Sequence, residues 1–342
     1  MNVDASAGST VPAEALPRLR HDYLPLLLVP LMAVLALPLI GNVTTWITLT
    51  IAALAMGMMI FVMASGLTLI FGLMDVLNFG HGAFIAVGAY LALSVLAFIS
   101  AWTAADSLAL NLLALCFAVV VAMVGTGALG LMFERIIIRP VYGQHLKQIL
   151  VTMGGLIVAE QLIHVIWGGE QKAMALPSAL RGAILFGDVA LEKFRLLAVV
   201  VGLIVYLSMA LVLNRTKIGL LIRAGVENQE MVEALGYRVR RLFAGVFMAG
   251  SALAGLGGVM WALYRETLTA GIGSDVMVLV FIVIIIGGLG SIGGCFLGSV
   301  LVAMTANYTG YAAPKVALAS NILLMAAILL WRPQGLYPVA RR

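Results

Sequence analysis

Glu160 and His164 stand four residues apart within the apolar stretch 148–167. That spacing sets both side chains on one helix face and within reach of each other. An acid and an imidazole at membrane depth could line a polar path or relay a proton, because ionisable groups there are costly and tend to be functional. The competing reading is a pair that satisfies itself, or a pair near the outer interface above Trp167. It is preferred, since buried pairs also serve packing alone.

Asp75 and His81 are the next ionisable residues at or near membrane depth. They sit in a glycine-bearing interruption, Asp75-Val76-Leu77-Asn78-Phe79-Gly80-His81-Gly82-Ala83-Phe84. A second interruption, Gly287-Gly288-Leu289-Gly290-Ser291-Ile292-Gly293-Gly294, breaks the other half. Non-helical backbone survives at membrane depth only where protein or a cavity satisfies it. Interruptions at matching places in two halves point to a translocation path between repeats. Asn78, Gly80, His81, Gly82 and Glu160 are the path candidates. Close helix packing through small residues, or tight loops between spans, would give the same pattern. For the second stretch a turn at the membrane edge is an equal alternative.

Other chemistry is missing from the chain. No lysine follows a glycine, so no GxxxxGK[ST] phosphate loop exists. HExxH, GxSxG and paired catalytic carboxylates are also absent. Cys116 and Cys295 lie far apart in apolar runs without a CxxC or a neighbouring histidine, which indicates neither a metal site nor a disulfide framework. The chain reads as a non-enzyme that binds no cofactor or metal.

The elements that must carry these residues are set by composition. Of 342 residues, 63% are hydrophobic and 10% charged, and the mean hydropathy is +1.12. Soluble domains carry about 25% charged residues, so the solvent for this chain is lipid. The net charge of +5 has no soluble basic domain to carry it, which argues against nucleic acid as a partner. A mild basic excess instead fits cytoplasmic loops.

A bilayer core of ~30 Å takes about 20 apolar residues in a helix. Stretches near 24–40, 47–74, 76–100, 108–133, 148–167, 194–213, 243–264, 276–290, 292–310 and 315–331 meet or approach that length. The expected fold is all-α and polytopic, with about ten transmembrane or partly re-entrant helices. The 47–74 stretch exceeds one span and 276–290 is short, so both are candidates for tilting, breakage or re-entry.

Arg18 and Arg20, Arg135, Arg139 and Lys147, the six basic residues of 215–242, and Arg332, Arg341 and Arg342 are separated by even numbers of spans. All four groups therefore face one side, the cytoplasm by the positive-inside rule. This predicts a cytoplasmic tail over 1–23, a transmembrane domain over 24–331 with a cytoplasmic loop at 215–242, and a cytoplasmic tail over 332–342. The longest outer segment, 168–193, is of mixed charge and reads as a solvated loop, a short external helix or a docking surface.

Within the 215–242 loop, Glu227-Asn228-Gln229-Glu230-Met231-Val232-Glu233-Ala234-Leu235-Gly236 reads as a short amphipathic helix. Met231, Val232 and Leu235 form its stripe, and Gly236 is placed at the residue after its end. Such a helix suits a groove on a partner, and an ordinary interfacial helix is the alternative.

Ala64-Ser65-Gly66-Leu67-Thr68-Leu69-Ile70-Phe71-Gly72-Leu73-Met74 followed by Asn78-Phe79-Gly80-His81-Gly82 resembles the signature of branched-chain amino-acid ABC importer permeases of the LivH type. Glu134-Arg135 with Arg139-Pro140-Val141, the 287–298 stretch, and Arg332-Pro333-Gln334-Gly335-Leu336 are similar to later motifs of that family, in the same order. The resemblance spans roughly 47–338. It implies a permease subunit of the bacterial inner membrane, paired with a second related permease, two cytoplasmic ABC ATPases that hydrolyse ATP, and an external (periplasmic) substrate-binding protein. It also implies that Glu227, Glu230, Met231, Glu233, Ala234, Leu235 and Gly236 form the coupling helix to the ATPases. The competing class is an ion- or proton-coupled carrier of a small polar solute, against which the scarcity of intramembrane acids counts.

Overall fold

A computed structural model describes residues 23–227 and 229–337, and for Val226, Glu227, Gln229 and Leu318 it describes the backbone alone. The predicted N-terminal tail, Asn228, and Arg341 and Arg342 lie outside the described residues. The chain is an all-α, multi-pass membrane protein. Among the described residues, seven helices are long and apolar enough to cross a membrane, and three shorter apolar helices accompany them.

In chain order the helices are α1 (Leu28–Ile40), α2 (Val43–Met74), α3 (His81–Phe98), the short α4 (Ser100–Ala104), α5 (Leu108–Phe133) and α6 (His145–Trp167). There follow α7 (Lys193–Arg215), α8 (Lys217–Glu227), α9 (Gln229–Ala234), α10 (Val239–Arg265), α11 (Ile272–Gly287), α12 (Ile292–Ala312) and α13 (Ala317–Trp331). Local chemistry sets several of the boundaries. The Asn42 side chain accepts the Thr45 N–H to start α2, and Ser291 accepts the Gly294 N–H to start α12. Asp75 ends α2 in the left-handed region at φ 52°, a conformation that Asp tolerates better than most residues.

The long 47–74 stretch is one unbroken helix. At 1.5 Å per residue its 32 residues extend about 48 Å, so α2 must tilt or project beyond the apolar layer. The 76–100 stretch behaves differently, because its first residues are non-helical and α3 starts only at His81. The 276–290 stretch forms the short α11, which ends in a tight turn through Gly288 (φ 95°) and Gly290 (φ 83°) into α12. For this second glycine stretch the turn reading holds.

Helices α2, α3, α10, α11 and α12, with α5 against α10 and α3, form the packed centre. α1 lies on α12, α7 on α2, α6 on α3, and α13 on α11 and α12. Small residues let the central backbones nearly touch. A Cβ on Gly88 would lie 2.4 Å from the Gly255 Cα, and one on Gly66 would lie 2.3 Å from the Gly250 carbonyl oxygen. Lipid tails are as apolar as leucine, so such close van der Waals contact, rather than hydrophobicity, holds helices together in a membrane.

The 168–193 segment forms two small ladders. β1 (Lys172–Ala173) pairs antiparallel with β4 (Thr267–Leu268), and β2 (Ala183–Phe186) pairs with β3 (Val189–Glu192) as a hairpin. Buried Asn111 anchors this end, donating to the Trp102 and Ala105 carbonyls and accepting the Ala179 N–H at 2.9 Å.

Candidate functional site

After Asp75 the chain turns back into the bundle, so α3 begins at depth. His81 Nε2 lies 2.9 Å from the Met63 carbonyl, well inside α2. A carbonyl only accepts, so Nε2 carries the proton and Nδ1 is the free lone pair. Phe79 N–H donates to Thr152 Oγ1 on α6 at 3.1 Å, and its ring packs on Phe281 of α11 at 4.6 Å. The interruption is thus clamped between α2, α6 and α11.

Its polar groups are incompletely satisfied. Asn78 and His81 have no solvent exposure. Both side-chain polar atoms of Asn78, His81 Nδ1, Ser251 Oγ and Gln148 Oε1 are buried without a hydrogen-bond partner. Leaving a buried polar group unpaired costs about 1–3 kcal/mol, so each such group needs a reason. The groups border an aromatic cluster in which Phe84, Phe133 and Phe247 meet edge-on or stacked at 5.4–6.3 Å, with the His81 ring 6.4 Å from Phe84. Chemically, this is an apolar surround with one amide that can donate and accept and one imidazole nitrogen that can accept.

Gly80 and Gly82 have steric roles. A Cβ on Gly80 would lie 2.7 Å from the Phe133 ring. Gly82 and Gly273 sit where α3 and α11 begin, and a Cβ on Gly273 would lie 2.1 Å from the Gly82 carbonyl oxygen. Two interrupted helices therefore start beside each other inside the protein. The matching element in the second half is the start of α11, not the Gly287–Gly294 stretch that the sequence pointed to.

Glu160 does not pair with His164. It accepts a hydrogen bond from Ser274 in the first turn of α11, while His164 is exposed. The expectation of a self-satisfied pair is corrected, because α11 brings a hydroxyl against the α6 face that carries Glu160. Sequence reading missed Ser274, since nothing local links positions 114 residues apart.

At one end of the bundle, α2, α5 and α11 finish while α10 and α12 begin. Tyr142 Oη donates to the Met74 carbonyl at 3.0 Å. Burial, and then the Asp75 charge, push the Tyr142 phenol above its ordinary value, which keeps it a neutral donor. Leu336 and Tyr337 N–H groups bond the last carbonyls of α11 at 2.8 and 3.0 Å, with Gly335 (φ 86°) packed on Gly288. The 134–142 and 240–244 segments line one cavity of about 440 Å³. The basic segments around Arg135, Arg240 and Arg332 thus share one end, as the even span count requires.

The expected 227–236 helix is divided. α8 ends at Glu227, Asn228 lies outside the described residues, and α9 runs only from Gln229 to Ala234. Its end matches the expectation: Gly236 takes φ 87°, its N–H bonds the Glu233 carbonyl at 2.9 Å, and the Tyr237 N–H bonds the Val232 carbonyl at 3.3 Å. This is a glycine-terminated helix cap that fills the Val232 and Glu233 carbonyls. Val232 is buried against the bundle, whereas Glu230, Met231, Glu233, Ala234 and Leu235 are exposed. The expected apolar stripe therefore splits, one residue inward and two outward. A second cavity of about 470 Å³ lies beside Glu233, Gly236, Tyr237 and Arg238. α8 was not foreseen, although Ile218, Leu221, Ile222 and Gly225 carry its helical spacing.

Residues 49–331 match the family described as branched-chain amino acid transport system / permease component. The chain is similar to BraD, a high-affinity branched-chain amino acid transport system permease protein of Pseudomonas aeruginosa, at 29% identity over 282 residues, covering 80% of this chain and 89% of that one. Its similarity to LivH, the corresponding permease protein of Salmonella typhimurium, is 24% over 280 residues, with coverage of 80% and 89%. A probable branched-chain amino acid transport permease protein of Methanocaldococcus jannaschii is 21% identical over 288 residues, with coverage of 80% and 87%. No solved structure matches the chain.

Proposed function

We propose, on the premise that this chain belongs to the permease-component family of branched-chain amino acid transport systems, that it is one membrane subunit of an ATP-binding-cassette importer for branched-chain or related amino acids. It pairs with a second, related permease in the bacterial inner membrane, with both termini in the cytoplasm. Two separate cytoplasmic ATPase subunits hydrolyse the ATP, and this chain binds no nucleotide, metal or other cofactor. An external substrate-binding protein delivers the amino acid to the face that carries the β2–β3 hairpin.

The observation that carries the reading is the meeting of α3 and α11 at Gly82 and Gly273, beside unpartnered Asn78 and His81. Broken helices with buried spare polar groups suit a path that a small zwitterion uses transiently. Because Asn78 and His81 have no solvent exposure, this conformation corresponds to a closed path. Glu160, tied to Ser274, would hold α6 to the start of α11 as the path opens. Motion of the ATPases reaches the spans through 227–236, where exposed Met231 and Leu235 face outward and buried Val232 ties the segment to the bundle. Each step is a shift between two arrangements of packed helices, driven by the ligand that favours one of them.

The test is uptake of labelled leucine by vesicles carrying the full assembly, with ATP inside. Uptake should require ATP and the binding protein, and persist with a protonophore. Histidine replacement by His81→Ala should lower uptake with assembly intact. Glu230→Lys with Glu233→Lys should abolish ATPase co-purification or transport. Unchanged uptake in His81→Ala would sink the path assignment. Retained ATPase and transport in the double lysine variant would sink the coupling assignment.

A further inference from the structure

The cavity of about 440 Å³ at the basic end is lined by Arg135, Arg139, Arg240 and Arg241, with Glu134, Tyr142 and Met74. Neither the path nor the coupling segment uses its first two arginines. Arg135 and Arg139 come from the two short helical turns that follow α5, Glu134–Ile138 and Arg139–Val141, and Arg240 and Arg241 from the first turn of α10, so two distant pieces of sequence converge on one space. All four are exposed, and the Glu192–Arg195 ion pair lies at the opposite end. The one acid in the lining, Glu134, is buried. Glu233 lies beside Arg240 and Arg241 in the adjoining second cavity, so four cations meet two acids and the space stays net electropositive, and forked guanidinium groups match phosphate oxygens well.

The surroundings indicate where that phosphate comes from. Met132 and Ile136, exposed on the same stretch as Arg135 and Arg139, continue the surface toward the apolar middle of α5. Met248 is exposed two turns further along α10 from Arg241. Charged groups thus sit at the ends of apolar stripes left open to lipid, the arrangement in which a headgroup and its chains are held together.

We propose that this cavity binds the phosphate of an anionic phospholipid headgroup, clamping the end of α5 to the start of α10. The proposal does not depend on which amino acid is carried.

The experiment is native mass spectrometry of the assembled transporter, ATPases included, extracted from nanodiscs of equal parts phosphatidylglycerol and phosphatidylcholine. The unaltered assembly should retain phosphatidylglycerol over phosphatidylcholine. Arg139→Gln with Arg241→Gln should reduce that preference about thirtyfold, given the attraction of each of the two arginines near a charged surface. The charge-keeping pair Arg139→Lys with Arg241→Lys should retain part of it, more than the glutamine pair, because the charge stays while the fork is lost, and Arg265→Gln, at the far end of α10, should leave it unchanged. If the glutamine pair does not assemble, Arg135→Gln alone is compared with Arg265→Gln. An equal loss in Arg265→Gln, or retention unchanged by the cavity variants, overturns the site. Displacement of the lipid by an equal concentration of inorganic phosphate overturns the lipid as source. A preference seen only after the ATPases are stripped away assigns the arginines to the partner and overturns the proposal.

Discussion

α2 and α7 are both apolar enough to span a membrane, yet they occupy opposite environments. An 18-residue window of α7 has a mean hydropathy of 2.8 with 11% of its residues buried, whereas that of α2 has 2.3 with 61% of its residues buried. The less hydrophobic helix is the one at the centre. In lipid, apolarity gives no reason for one helix to leave the tails for another. What distinguishes α2 is Ala52, Ala53, Ala55, Gly57, Ala64, Ser65 and Gly66, all buried, which let α10 and α12 approach. α7 presents Leu203, Ile204, Leu207 and Leu211 outward. α3 follows α2 in this respect, with Gly82, Ala83, Ala86, Gly88, Ala89 and Ala92 buried, whereas α11 is buried mainly through valines and isoleucines and meets α3 closely at Gly273.

The largest effect should come from filling a contact that admits no side chain. Gly273→Val puts its Cβ against the Gly82 carbonyl, where backbone rather than a flexible side chain must move. Folded yield and the thermal midpoint in detergent should fall, with a loss of about 3 kcal/mol or more. A normal midpoint would break the contrast between the two classes of helix.

Next is Asn78→Leu, which removes a buried amide without a partner. Relief of about 1–3 kcal/mol should raise the midpoint while leucine uptake falls. That pairing separates a group kept for function from one kept for packing. Uptake at the unaltered level would show that the amide serves neither the path nor the fold.

A smaller loss is expected for Ser274→Ala, about 1 kcal/mol, read as a lower midpoint. The same change combined with Glu160→Gln should be less than additive, because the two side chains share one bond. Full additivity would mean the bond carries nothing. The smallest effect belongs to Leu207→Ala on the outer face of α7, within about 0.5 kcal/mol. A larger loss in the assembled transporter than in the isolated subunit would show that a partner, not lipid, covers that face.

Much of the architecture was legible in the sequence because hydropathy reports the solvent directly. Among the described residues, the seven long and three shorter apolar helices fall close to the expected stretches, and Gly236 ends α9 as its position implied. The parts that were not legible are contacts between distant segments. Glu160 could be matched only to its neighbour His164 by spacing, while its partner Ser274 arrives on α11. The second interruption was sought at Gly287–Gly294, where glycines are densest, but those glycines turn the chain at the bundle end. The counterpart of the first interruption is the start of α11, marked in sequence by little more than Gly271 and Gly273.

By itself the sequence determined the solvent, the multi-pass all-α architecture and the family signature. Each of these depends on composition or on residues within a few turns of one another. Only the tertiary structure decided which apolar helices are central, which polar groups lack partners, and that arginines from α5 and α10 surround one cavity. In a membrane those outcomes follow from how closely small residues let particular backbones approach, and that geometry exists only once the helices have met.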